Sequence, residues 1–248
     1  MGYLTNQKQD GIKMYDVLFK DVEGKLLRVS DRLNIDRFVF EKRTRSSITY
    51  YDTPDHLLTK TGILLYKTYE NGEFYFKVEK LNFLPSVSKV RHSSVFENKC
   101  EARDTPRSQA FYLINGITAL FSTHFNIDLE NVLKFAYPTL HVDIQGSQFK
   151  GFNANGFKCV VEFQNVLYTN YLTKRKNENL ELMVLNTSSQ AYEKDFEDFV
   201  VLLERYCKGI LPKDSLRYDY GQRITRILPK VKKEKGSKKK KPESKPQE

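Results

Sequence analysis

Residues 47–80, SITYYDTPDHLLTKTGILLYKTYENGEFYFKVEK, decide how the rest of the chain is read. Asn71-Gly72 sits between two runs of alternating character, and Asn-Gly is the preferred central pair of a type I′ hairpin turn, in which both residues need a positive φ. With those two residues as the loop, Glu70 faces Glu73, Thr68 faces Tyr75, Tyr66 faces Lys77 and Leu64 faces Glu79 in antiparallel register. Side chains alternate across a strand, so one face of this ribbon is mainly polar. The other carries Ile63, Leu65, Phe76 and Val78, with Lys67 and Tyr69 nearer the turn, and is expected to pack against helices. Taken alone, the hairpin fits equally a polar side in bulk water and a polar side turned toward an enclosed site.

On the N-terminal side, Met14 to Lys20 reads as a strand with Tyr15, Val17 and Phe19 on one face and Asp16, Leu18 and Lys20 on the other. Gly24 to Phe40 reads as a helix and a short connection, and Lys42, Arg43 and Arg45 as an exposed basic loop. On the C-terminal side, Val87 to Phe96 reads as a strand that puts Arg91 beside Lys89, Ser93 and Val95, and Thr105-Pro106 opens a helix over 108–125. Further strands are expected over 132–137, 139–146, 157–167 and 180–185, with Lys134, Asp143, Glu162 and Glu181 on polar sides opposite apolar ones. A last amphipathic helix carries Phe196, Phe199, Val200, Leu203 and Tyr206 and stops near Gly209.

One charged residue on a half-exposed strand means little, but several on successive strands imply a shared polar lumen. Closing a sheet around that lumen removes its unpaired edges, and about eight strands leave room for a small ligand. The expected fold is therefore α+β: an antiparallel β-barrel, closed or nearly so over residues 14–185, with helices packed on the outside.

The chain has 248 residues, 40% hydrophobic and 29% charged, enough for one sizeable core and unlike a disordered protein. Three parts are expected: a flexible N-terminus over 1–12, one domain over 13–228, and a Lys-rich disordered tail over 229–248. The net charge of +10 favours anionic partners, although much of the excess lies between Lys230 and Lys245. Such a run is more often a solvated tail than a nucleic-acid arm, so nucleic acid is not the favoured partner. Cys100, Cys159 and Cys207 are odd in number and lack metal-ligand spacing, which reads as reduced thiols in the cytoplasm. No apolar run suggests a signal peptide or a membrane span.

Tyr50-Tyr51-Asp52-Thr53-Pro54, a link to Gly62, and a strand ending at Lys77 resemble the CYTH family of triphosphate tunnel metalloenzymes, from about Tyr15 to Ile224. That family opens with two glutamates and a lysine at alternate positions; Asp16 and Lys20 match, and Leu18 stands at the second glutamate. Tyr66 and Thr68 stand where the family strand carries arginines, Arg91 matches an arginine on a later strand, and Leu216-Arg217-Tyr218 with Gly221 is similar to its serine-lysine-tyrosine segment.

The resemblance implies a tunnel lined with basic residues for phosphates and acidic residues for a divalent cation, Mg2+ or Mn2+. Phosphate contacts would come from Lys20, Lys77, Arg91, Lys134 and Arg217, with Lys20 and Lys77 also catalytic. Metal ligands would come from Asp16, Glu162 and Glu181, then Glu79 and Asp143. The activity implied is divalent-metal-dependent hydrolysis of inorganic triphosphate or an organic triphosphate. The alternatives are a degenerate tunnel that binds polyphosphate or another polyanion without turnover, and a class IV type adenylate cyclase.

Overall fold

The computed structural model describes residues 3–8, 12–18, 20–80, 92–121, 127–213 and 217–225. Ten strands run in chain order: β1 (Tyr3–Lys8), β2 (Ile12–Val17), β3 (Arg37–Asp52), β4 (Ile63–Glu70), β5 (Glu73–Lys80), β6 (His92–Cys100), β7 (Tyr137–Phe152), β8 (Lys158–Asn170), β9 (Arg175–Asn186) and β10 (Ile210–Pro212). The helices are α1 (Val22–Arg28), α2 (Leu57–Lys60), α3 (Ala110–Phe121), α4 (Leu129–Phe135), α5 (Glu193–Tyr206) and α6 (Arg217–Ile224). The strands form one sheet in the order β1-β6-β5-β4-β3-β7-β8-β9-β2-β10, and every pairing is antiparallel. Among the described residues β1 and β10 are its two edges, so the α+β antiparallel architecture stands while closure into a barrel does not.

The hairpin has the register that its Asn-Gly turn dictates. Tyr66 pairs with Lys77 and Leu64 with Glu79, and Asn71 and Gly72 take φ values of 53° and 87°. Before it, Asp52 is wholly buried and caps the one-turn helix α2. Its carboxylate accepts from the backbone N–H groups of Thr53, Leu58 and Thr59 at 2.8, 2.9 and 3.1 Å.

One face of the sheet is covered by helices in two layers. Tyr15, Val161, Leu182 and Val184 pack beneath α1 and α5 through Leu26, Phe196, Phe199 and Leu203. Ile63, Leu65, Phe76, Val78 and Phe96 pack beneath α3 and α4 through Leu113, Ile117 and Leu133. The opposite face holds a third cluster, in which Tyr50, Leu64, Tyr66, Leu140, Val142, Ile144, Val166 and Tyr168 meet Tyr218 and Tyr220 of α6. This second side, the site face, carries most of the candidate residues.

Several expectations are corrected. The basic stretch around Arg43 and Arg45 is no loop but the middle of the 16-residue strand β3, which pairs with β7 on one side and β4 on the other. Of the stretch 24–40, expected as a helix and a short connection, the helix is α1, which stops at Arg28; a 3-10 turn at Ser30–Leu33 follows, and from Arg37 the chain is already β3. The predicted strand over 132–137 is α4 instead. Asp128 caps it by accepting from the Asn131 N–H at 3.1 Å, and Val132 and Leu133 turn into the core. Where a loose N-terminus was expected, β1 pairs with β6. The Lys-rich tail lies outside the described residues.

Cys100, Cys159 and Cys207 are free thiols. Burial pushes Cys100 up to about 11 and Cys159 up to about 12, so both are protonated at neutral pH. No helix among the described residues is long and apolar enough to cross a membrane.

Candidate functional site

Two polar centres lie on the site face. The first is built where β2, β8 and β9 meet α6. Asp16 and Glu181 are direct register partners across β2 and β9, so two carboxylates of like charge stand opposite each other. The Lys213 ammonium lies between them, 3.0 Å from Asp16 Oδ1 and 2.6 Å from Glu181 Oε1. Arg217, at the start of α6, donates to Glu181 Oε2 at 2.9 Å and to Gln164 Oε1 at 2.8 Å. Tyr168 donates its O–H to Glu181 Oε1 at 2.5 Å, and Asn179 donates to Asp16 Oδ1 at 2.8 Å.

The electrostatics follow from this crowding. Burial works to raise the Glu181 carboxyl, but Arg217 and Lys213 outweigh it and hold the group below its ordinary value. Burial likewise opposes the charge on Arg217, and Glu181 more than restores it. Two cations thus face two carboxylates, with Glu181 fully buried and Asp16 half-buried.

The second centre lies on the hairpin. Lys77 reaches Glu70 Oε1 at 3.5 Å and Glu97 Oε1 at 3.3 Å, and its side chain keeps 10% of its exposure. Tyr66 donates its O–H to Glu79, whose carboxyl is raised by burial against the pull of Tyr66 and Lys77. Tyr50 joins the two centres, with ring centroids 5.5 Å from Tyr66 and 5.1 Å from Tyr218. Thr68, where the resemblance has an arginine, is 1% exposed, and its hydroxyl has no hydrogen-bond partner.

The sequence-predicted residues divide accordingly. Lys77, Glu79, Glu162, Glu181 and Asp16 lie on the site face, and Arg217 reaches it from α6. Glu162 stands apart, accepting from the Thr44 hydroxyl at 2.5 Å, in a space that exists because Gly146 has no Cβ. Lys20 is in an exposed turn after β2. Lys134 is exposed on α4, with its ammonium 5.7 Å above the Phe135 ring, on the side of the sheet away from the site. Asp143 is on the opposite side of β7 from the site face, 3.3 Å from His141. The alternation of β7 was legible, but its apolar side, not its polar side, belongs to the site face. Arg91 lies outside the described residues. Lys213 and Glu97 were missed: Lys213 follows a three-residue strand too short to show a period, and Glu97 lies past the end of the expected strand.

No family model matches the chain, and no curated protein matches it. Solved structures similar to it include a Hippeastrum protein described as having a dominant triphosphatase activity, at 12% identity and TM-score 0.48, covering 88% of this chain and 98% of that one. A proposed adenylate cyclase from Bacillus halodurans matches at 12% identity and TM-score 0.46, covering 85% and 96%. A protein from Pyrococcus horikoshii matches at 12% identity and TM-score 0.45, covering 86% and 99%. With TM-scores below 0.5, these likenesses leave the function to be argued from the residues of this chain.

A divalent cation such as Mg2+ or Mn2+ takes about six oxygen ligands or more in close contact. Asp16 and Glu181 already give their oxygens to Lys213, Asn179, Tyr168 and Arg217, while Glu162 is held by Thr44. Among the described residues no group of three His, Cys, Asp or Glu side chains is placed to hold a metal. The donor set therefore does not fit the ion that the resemblance implies. A separate cavity of about 510 Å3, lined by Asp31, Asp36, Asp195 and Asp198, lies at the foot of α5 and contains none of these residues.

Proposed function

We propose that this chain is a CYTH-like domain that binds a phosphate-rich polyanion on the site face of its open sheet without hydrolysing it. The observation that supports this reading is the state of the cations. Lys77 and Arg217 are drawn onto one face of the sheet, and each is held there by a carboxylate that a phosphate can replace. Glu70 is the readiest to yield, since its side chain keeps 44% of its exposure and can swing into water when an anion takes Lys77. A buried cation needs an anion to offset its lost hydration, and a triphosphate meets that need as a carboxylate does.

Hydrolysis asks for more. Phosphoryl transfer needs the developing charge neutralised and a water aligned in line, which a carboxylate-held metal supplies in the enzymes that the sequence resembles. Here the candidate carboxylates neutralise resident cations instead. Leu18, at the position of the family's second glutamate, is 55% exposed and offers no oxygen ligand.

Calorimetry with tripolyphosphate in the presence of EDTA, beside phosphate release in Mg2+ and Mn2+, tests the proposal. Binding without release is the expected result. Release that follows Mn2+ concentration and disappears in Glu181→Gln would establish the hydrolase reading instead; no binding in EDTA would reject the proposal, and no binding together with no release would reject both readings.

A further inference from the structure

We propose that Lys213 is a built-in cation: its ammonium holds Asp16 and Glu181 together in the place of a divalent ion, so that this centre is complete without metal. Three observations carry the inference. The first is the need. Asp16 and Glu181 face each other directly across β2 and β9; Asp16 is half-buried and Glu181 is 1% exposed, so water screens their repulsion only from the Asp16 side.

The second is the fit. The Lys213 side chain keeps 6% of its exposure, and its ammonium contacts both carboxylates at hydrogen-bond distance. The same ammonium lies 3.6 Å from the centroid of the Tyr220 ring, a cation–π contact added to the two carboxylate contacts. Asn179 ties Asp16 to the same tyrosine, donating to Asp16 Oδ1 at 2.8 Å and to the Tyr220 hydroxyl at 2.9 Å.

The third is the tether. β10 pairs with β2 from Val17 to Tyr15, and the Lys213 N–H then donates to the Met14 carbonyl at 2.8 Å. The lysine is thereby launched from the end of β10, beside the strand that carries Asp16, and it is present at an effective concentration that a free ion must compete against. An ion would also have to shed its water to enter a site whose oxygens are engaged.

The test uses the full chain, stripped with EDTA and then titrated with Mn2+ alone, so its outcome is separate from that of the polyanion reading. Wild type should show no saturable Mn2+ uptake. Lys213→Ala should gain a saturable uptake, and adding Asp16→Asn should abolish it. Mn2+ uptake by wild type that depends on Asp16, or a folded Lys213→Ala that takes up none, would overturn the inference. Should Lys213→Ala not fold, melting temperatures decide. Lys213→Met/Asp16→Asn, which removes one charge of each sign and leaves Arg217 to face Glu181, should melt above Lys213→Met. No recovery in the double variant would count against the inference.

Discussion

At the residue scale, the site face is a set of charges that satisfy one another. Lys77 is the cation most open to exchange, because one of its partners is half exposed. Lys77→Met keeps most of the stem and removes the charge. Tripolyphosphate binding should weaken by about 1–3 kcal/mol, the range for a charge-assisted bond, with little change in melting temperature. Unchanged affinity in calorimetry would remove Lys77 from the binding face. The two carboxyls with opposite shifts give a pH signature. Burial holds Glu79 above its ordinary value, so the folded chain binds this proton more tightly than the unfolded one, and stability falls as pH rises through that window. For Glu181, lowered by Arg217 and Lys213 against its burial, the sign is reversed: its contribution is present above the ordinary carboxylate value and is lost as pH falls through the lowered one. Glu79→Gln should therefore lose less stability than wild type between mildly acidic and neutral pH. Parallel curves of melting temperature against pH would show that Glu79 titrates alike in the folded and unfolded chain.

At the element scale, what could be read from the sequence depended on whether local chemistry or long-range packing set the structure. The β4–β5 hairpin was legible because Asn71-Gly72 fixes both the turn and the register. The faces of Lys77, Glu79 and Glu181 followed from a period of two. β3 was not legible, because a run of Lys42, Arg43 and Arg45 looks like solvent-facing loop until β7 is known to pair along its length. α4 was hidden for a local reason: the short apolar run after Asp128 fits a strand as well as a helix, and the Asp128 cap is what selects the helix. Packing between elements can be tested at Gly116 of α3. A Cβ there would collide with the Phe96 ring of β6, while alanine would favour the helix by about 1 kcal/mol. Overpacking a core costs about 1–3 kcal/mol, so Gly116→Ala should lower stability in a denaturant titration. A more stable variant would show that α3 moves away from β6 at small cost.

At the scale of the whole molecule, the sheet is greasy on both sides, and this decides how a tunnel could form. On the helical side the apolar faces are buried by α1, α3, α4 and α5. On the site face, Leu140, Val142, Ile144, Val166 and Tyr168 occupy the middle, with α6 laid over them through Tyr218 and Tyr220. The polar centres are thus pushed to either side of an apolar divide, Lys77 on β5 and Asp16 on β2. A closed barrel would pair β1 with β10 and remove both edges, whereas an open sheet leaves their outer N–H groups to water. Amide hydrogen exchange separates these states, because protection follows the cost of opening each hydrogen bond. In the open sheet, amides of β7, paired on both sides by β3 and β8, should exchange slowest, and those of β1 and of Ile210 and Leu211 in β10 fastest. Added tripolyphosphate should slow the β5 and β6 amides around Lys77 and Glu97 first, because that centre has the more exposed carboxylate to give up. Protection of β1 and β10 equal to that of β7 before any ligand is added would mean that the edges are joined and the tunnel is already closed.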